Sequence, residues 1–496
     1  MKNFKLILFT FLINIGCLHV FSQPAVKFEW SEYSRVKKYS QNIFLSKTNS
    51  DYVSIIKNGS KYTIIKYDSS LKITKEHNFN LSKNRERIIG IWIWNYKIYF
   101  LTQYELKNQK VAVKSRVFEI NDLRIFKSDF LMILDKNRFS RNIAYRLLEG
   151  DSTIEIYHTK VYESNDENFS LIYTTFSKDL KLLDKAVFEI PVKYTLCEVL
   201  KAEKHDNNIF LFTKQYNVRP IERRGLSSNY YFGFYVANPS NETLEKYLLK
   251  YENLYLDGGR AKYKNGKNEA AGFFSDTYKG GKVGFWYLNY DFTNFKKIKD
   301  TLVYFDKKTK ELPSNGFHKS VFKQYNFESF IVDYLVKANN EKNILIAEQF
   351  MLIPASFGSA YTYNRFYGDI LILYFDKNLN IYNSQRIVKL QQTFNNTGEF
   401  SSYYIERYDS ILYFFYNDNI NSIFKKTPHQ LVWHKHSCLA LVKASESKNE
   451  SFILADYAAI GGIIQVRDIV EIGQNQYLVY ARMKNKTKIG IMKLIE

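Results

Sequence analysis

Short, almost wholly apolar runs recur along this chain, starting at Tyr52, Ile98, Ile154, Ile209, Ala271, Ile344, Ile411 and Tyr477. Their spacing is roughly 45 to 75 residues, the range of blade-like repeats. Runs such as Ile209-Phe210-Leu211-Phe212-Thr213 and Ile411-Leu412-Tyr413-Phe414-Phe415-Tyr416 do not alternate with polar residues. That pattern belongs to strands covered on both faces. The cleanest copy of the unit is Arg87 to Asn121. Ile88 to Ile93 leads to a turn at Asn95-Tyr96-Lys97, and Ile98 to Thr102 returns. After a loop come Val111-Ala112-Val113 and Val117 to Ile120. Return strands end at turns bearing Asp: Tyr67-Asp68, Asn121-Asp122, Lys178-Asp179, Tyr290-Asp291 and Phe375-Asp376. The strand after each turn is the most polar, as in Ile381 to Arg386. A polar outermost strand guards a sheet edge against pairing with other chains.

Four strands per unit, buried inner strands and about eight units predict an all-β fold, a β-propeller forming one domain over 23–496. Seven blades is the alternative, because 201–304 is the hardest region to register. The last unit supplies three strands, Gln465 to Ile472, Tyr477 to Arg482 and Lys488 to Leu494. The spare strand Val26 to Trp30 is expected to complete it and close the ring. Phe126, Phe130, Leu131 and Leu134 have helical spacing, which predicts a short inserted helix near 128–137.

Composition agrees with strands: 40 Tyr and 39 Phe stand against 7 Pro. The first residues read as an export signal, with Lys2 and Lys5 before the apolar run Leu6 to Ile15. That run suits a signal peptide of 1–22 cut after Ser22, and is too short to span a bilayer. Lipidation at Cys17 is the alternative, although Asn14 stands where a lipobox has an aliphatic residue. The expected location is the periplasm, the outer surface or outside the cell. Cys197 and Cys438 fall in distant units and are expected as two buried free thiols. The formal charge is +21, but the lysines are scattered, as on a solvated surface, and no nucleic-acid motif accompanies them.

Loop lengths carry the functional expectation. In a four-stranded meander the first-to-second and third-to-fourth turns share one face of the disk, and here they are short. The long insertions, 217–229, 305–327, 351–368, 390–402 and 418–437, fall on the other face. Long loops on a rigid scaffold are where binding resides. They carry Arg219, Arg223 and Arg224, then Tyr361, Tyr363, Arg365 and Tyr367, then Lys425, Lys426, Trp433 and Lys435. Aromatic rings stack on sugars, and Arg forks onto carboxylate, sulfate or phosphate. The candidate ligand-binding residues are therefore Arg219, Arg223, Arg224, Tyr361, Tyr363, Arg365, Tyr367 and Trp433. His429, His434 and His436 form the one histidine cluster, but no Cys or acid beside them completes a metal set, so no metal and no cofactor is assigned. There is no nucleophile elbow, phosphate loop, dinucleotide fingerprint or His-Glu-x-x-His. Glu348, Asp369 and Glu399 near the same face read as surface or network carboxylates.

The stretch Ala271 to Asp276 followed by Gly281 to Leu288 resembles uncharacterised exported bacterial β-propeller-like proteins. Ile387 to Gln391, Tyr403-Tyr404 and Tyr413 to Asp418 are similar to the same group. The resemblance implies a fold and an envelope or extracellular site, and no activity. The expected role is a monomeric binding or scaffolding module whose ligand is an anionic polysaccharide or an envelope protein. The rival is a polysaccharide-degrading hydrolase or lyase on the same scaffold.

Overall fold

The computed structural model describes residues 25–37, 40–82, 85–106, 110–135, 146–149, 153–159, 167–205, 208–221, 223–224, 227–238, 243–264, 266–278, 281–313, 329–338, 342–357, 360–394, 398–425, 431 and 434–495. The chain forms eight antiparallel four-stranded blades in a ring, an eight-bladed β-propeller. Blade 1 is Gln41–Lys47, Tyr52–Asn58, Lys61–Tyr67 and Ile73–Asn80. Blade 2 is Glu86–Trp94, Lys97–Glu105, Lys110–Glu119 and Ile125–Asp135. Blade 3 is Arg146–Glu149, Thr153–Thr159, Asn168–Ser177 and Leu182–Lys193. Blade 4 is Cys197–His205, Asn208–Tyr216, Tyr230–Asn238 and Thr243–Leu249. Blade 5 is Arg260–Lys264, Lys267–Ser275, Gly284–Asp291 and Lys296–Tyr304. Blade 6 is Phe330–Lys337, Lys342–Phe357, Ala360–Asp376 and Ile381–Ile387. Blade 7 is Tyr404–Tyr408, Ile411–Asn419, Ser437–Ala444 and Asn449–Asp456. Blade 8 is Val470–Gly473, Gln476–Met483, Lys486–Ile495 and the N-terminal strand Ala25–Trp30.

Every apolar run noted in the sequence lies in the second strand of a blade. The seven-blade alternative falls, because 201–304 holds most of blade 4 and the whole of blade 5. The N-terminal strand pairs antiparallel with Lys486–Ile495, from Ala25 opposite Ile495 to Trp30 opposite Gly490. The ring closes as expected, and cation–π contacts tie the closing segment in. The Lys488 ammonium lies 4.0 Å from the centre of the Trp30 ring and 4.9 Å from that of Tyr33.

The core is divided, as blade geometry requires. Eight apolar clusters each fill one seam between neighbouring blades. Glycine at 272 follows from this packing. It sits opposite Trp286 in the ladder, and a Cβ there would come within 2.6 Å of the buried indole. The Asp-bearing turns have a second part. The Asp68 carboxylate accepts from Ser70 and Lys72 N–H groups, and Asp376 accepts from Asn380. The residue closing the turn is left-handed: Leu71 (φ 63), Leu123 (φ 58), Leu180 (φ 69) and Leu379 (φ 72). A bulky residue in that region is strained. Burial offsets the strain, because Leu71, Leu123 and Leu379 are each no more than 3% exposed in a seam with the preceding blade.

Three expectations change. The segment at 128–137 is not helical; its described part lies in the outer strand of blade 2. Bulges between Ile125 and Lys127 and between Phe130 and Met132 break the alternation and produce the helix-like spacing. The segment 351–368 is not a loop but a continuation of the two central strands of blade 6, paired from Phe350 opposite Tyr367 to Phe357 opposite Ala360. The outer strands of blades 2 and 3 are not polar throughout: Phe126, Phe130, Leu182 and Val187 are all more than half exposed.

Candidate functional site

Among the described residues, the long-loop face carries that hairpin arm of blade 6. A third strand, Gln391–Phe394, pairs with it from Tyr367 opposite Gln391 to Asn364 opposite Phe394. Tyr363, Arg365 and Tyr367 fall on one face of their strand by its two-residue period. Tyr363 is 42% exposed, whereas Tyr367 is buried at 3%. The Tyr367 ring packs 5.0 Å from Phe350, and the guanidinium of exposed Arg467 lies over it, 4.7 Å from its centre. Tyr361 lies opposite Ser356 in the ladder.

In blade 4 the insertion carries a small hairpin, Arg223–Arg224 with Ser227–Ser228. Asn229 holds its base, donating to the carbonyls of Arg219 (2.8 Å) and Ile221 (3.1 Å), and Arg219 is exposed. The side chains of Arg223, Arg224, Tyr361 and His434 lie outside the described residues, as do Trp433 and His429 altogether. His434–His436 is a 3-10 turn, and His436 is exposed. Among the described residues no group of three His, Cys, Asp or Glu is arranged to hold a metal.

Beneath the arm lies a buried ionic network. Lys389 Nζ meets Glu348 at 2.6 Å and donates to Gln391 Oε1 at 3.1 Å. Ser402 Oγ donates to the other Glu348 oxygen at 2.5 Å. Arg386 Nε meets Asp369 at 2.6 Å, and the Lys389 N–H donates to the same carboxylate. Gln391 donates to the Asn417 carbonyl in blade 7. Glu348 and Asp369 are thus network carboxylates, as the sequence indicated. Glu399 accepts from Gln41 of blade 1 at 2.6 Å. Burial and the neighbouring Glu348 push Asp333 up to about 7, while Tyr403 OH donates to it at 2.9 Å. Burial pushes Asp418 up to about 7 and Asp468 up to about 6.

The opposite face carries a feature that sequence reasoning missed. A cavity of about 650 Å³ opens among the innermost strands of blades 8, 1 and 2, at their short-turn ends. It lies between Lys47 to Asn49, Trp94 to Tyr96 and Val470 to Ile472. Trp94 is 42% and Tyr96 57% exposed at its mouth. Both central residues of the blade 2 turn are left-handed, Asn95 at φ 45 and Tyr96 at φ 58. That backbone suits Asn-Gly. In the corresponding turns of blades 5, 7 and 8 the left-handed position is held by Gly266, Asp409 and Asn475. The Tyr96 hydroxyl accepts a 2.8 Å hydrogen bond from Asn49 of blade 1. Lys178 lies 4.9 Å from the Trp94 ring centre. The one available signal was a tyrosine where a turn calls for glycine.

No family model matches the chain, and no curated protein does. Among solved structures, 95% of it aligns with 98% of the WD40 domain of SCAP from fission yeast, at 8% identity and a TM-score of 0.38. It aligns over 85% of its length with 99% of the β-propeller domain of the Trilobed protease from Pyrococcus furiosus, at 11% identity and a TM-score of 0.35. It also matches 55% of a prolyl endopeptidase chain over 91% of its own length, at 6% identity and a TM-score of 0.41, and so spans about half of that enzyme. The class of protein, an eight-bladed propeller, rests on its own sheets.

Proposed function

We propose that the chain is an exported binding module that holds an anionic glycan across its long-loop face. The observation that carries this reading is the arm of blade 6, with the Arg467 guanidinium held over Tyr367 at its base. Beyond its contacts with Tyr367, the exposed guanidinium keeps N–H groups that can fork onto a carboxylate or sulfate. Exposed Arg219 and Lys435 lie on insertions of the same face, and the net positive charge that stays after Lys2 and Lys5 are cleaved away favours a polyanion. Export rests on Lys2, Lys5 and the apolar run that follows them, with cleavage after Ser22.

The test is a binding screen against acidic and neutral polysaccharides at low and high salt, with an Arg219→Ala/Arg365→Ala/Arg467→Ala variant alongside. The expected result is acidic-polymer binding that salt weakens and that the variant lowers about tenfold or more. Binding that the variant retains in full would place the ligand elsewhere. Shortening of the polymer during the screen would favour the hydrolase or lyase reading.

A further inference from the structure

We infer that the cavity on the short-turn face is a second, independent binding site, built for an uncharged pyranose ring of a glycan. Its volume of about 650 Å³ takes one or two sugar rings. Its mouth is framed by the exposed rings of Trp94 and Tyr96, flat surfaces of the kind on which the C–H face of a pyranose stacks. The rest of the lining mixes polar residues, Ser46, Thr48, Asn49 and Glu471, with apolar ones such as Phe44 and Ile472. Hydroxyl, amide and carboxylate groups beside aromatic rings match the alternating hydroxyls and C–H faces of a sugar. A long apolar ligand would leave those polar groups without partners.

The blade 2 turn supports the same reading. A tyrosine in the left-handed region is a strained choice, and strain persists where the surroundings hold it. At Leu379 burial in a seam explains the strain. Tyr96 is 57% exposed, so burial does not explain it. Its ring stands over the cavity, held by Asn49 from the neighbouring blade. Blades 8, 1 and 2 all contribute, so the site exists only in the closed ring.

The experiment is calorimetric and fluorescence titration of the purified protein with cellobiose, maltose, lactose and N,N′-diacetylchitobiose in 1 M NaCl, which suppresses charge-driven binding. At least one disaccharide should bind with a change in tryptophan emission. Trp94→Ala should lower its affinity about tenfold or more. Tyr96→Gly restores an Asn-Gly turn, so it should abolish binding without lowering Tm. The Arg219→Ala/Arg365→Ala/Arg467→Ala variant should bind the disaccharide as the parent does, which keeps this test separate from that of the long-loop face. The inference is overturned if no disaccharide binds, or if Trp94→Ala and Tyr96→Gly both bind normally. Loss of binding together with Tm in Tyr96→Gly, or loss in the arginine variant, would also overturn it.

Discussion

The long-loop face and the short-turn face differ in where their polar groups go. On the long-loop face, insertions from several blades converge, and Glu348, Asp369, Arg386 and Lys389 are drawn into the interior as partnered ions. On the short-turn face the connections are only a few residues long, and Asn49, Trp94, Tyr96 and Glu471 stay exposed around a cavity. Added chain brings its own interior and fills the space it encloses. Minimal turns leave the mouth of the ring uncovered. Loop length therefore marks where chain has accumulated, while this cavity opens where the turns are short.

Both faces depend on ring closure, so the severest test is removal of residues 25–33. We expect Tm to fall by roughly 10 °C or more, since a full strand ladder and the Lys488 clamp go together. An unchanged melt would show that blade 8 holds without its fourth strand. Next comes Lys389→Ala, which strands Glu348 as a buried unpaired charge and should cost about 3–5 kcal/mol in denaturant unfolding. Its counterpart, Glu471→Ala on the short-turn face, should stay within about 0.5 kcal/mol. Equal losses would erase the contrast between the faces. A finer comparison sets two left-handed residues side by side. Leu379→Gly relieves the backbone but empties a seam, for a net loss of about 2 kcal/mol. Tyr96→Gly relieves the backbone and gives up only the exposed hydrogen bond from Asn49, so it should stabilise by up to about 1 kcal/mol.

The smallest effect concerns pH. Asp333 and Asp418 are pushed up to about 7 and Asp468 to about 6, all above the unfolded value of 3.8. Their folded forms hold protons more tightly, so their contribution is complete in acid and is lost as pH rises through about 6 to 7. Tm should decline by a few degrees, roughly, between pH 5 and 8. Asp418→Asn, which fixes a neutral group, should reduce that decline; an identical slope would remove Asp418 from the account. The carboxylates of the short-turn face act in another window. Hydrogen bonds hold Asp68 and Asp291 below the usual range, so their contribution disappears only in stronger acid, as the pH drops through those lowered values.

The fold was largely legible because burial on both faces of a strand leaves an unbroken apolar run, and each of the eight runs sits in a second strand. The closing strand was legible because one blade lacked a partner. Phe126 and Phe130 misled because bulges shift the phase of a strand by one residue. The arm at 351–368 was hidden by Pro354 and Gly358, although Tyr361, Tyr363, Arg365 and Tyr367 already alternate. The cavity could not be found by local pattern. Its walls come from Phe44, Trp94 and Glu471, which only a closed ring brings together. The left-handed leucines are recognisable in retrospect as the partners of the Asp turns, in Asp68-Ser69-Ser70-Leu71 and Asp376-Lys377-Asn378-Leu379.

The pairing of Val26 with Leu494 has a consequence in time. The strand that completes blade 8 is made before the other seven blades, and it waits for a partner made after them. Until that partner arrives, the growing chain is an open arc with an unmatched seam at each end, and sheet edges are prone to wrong pairings. Contacts between such distant residues form slowly. Once made, they convert a row of separately fraying units into a hoop, in which a break at either terminus is felt all the way around.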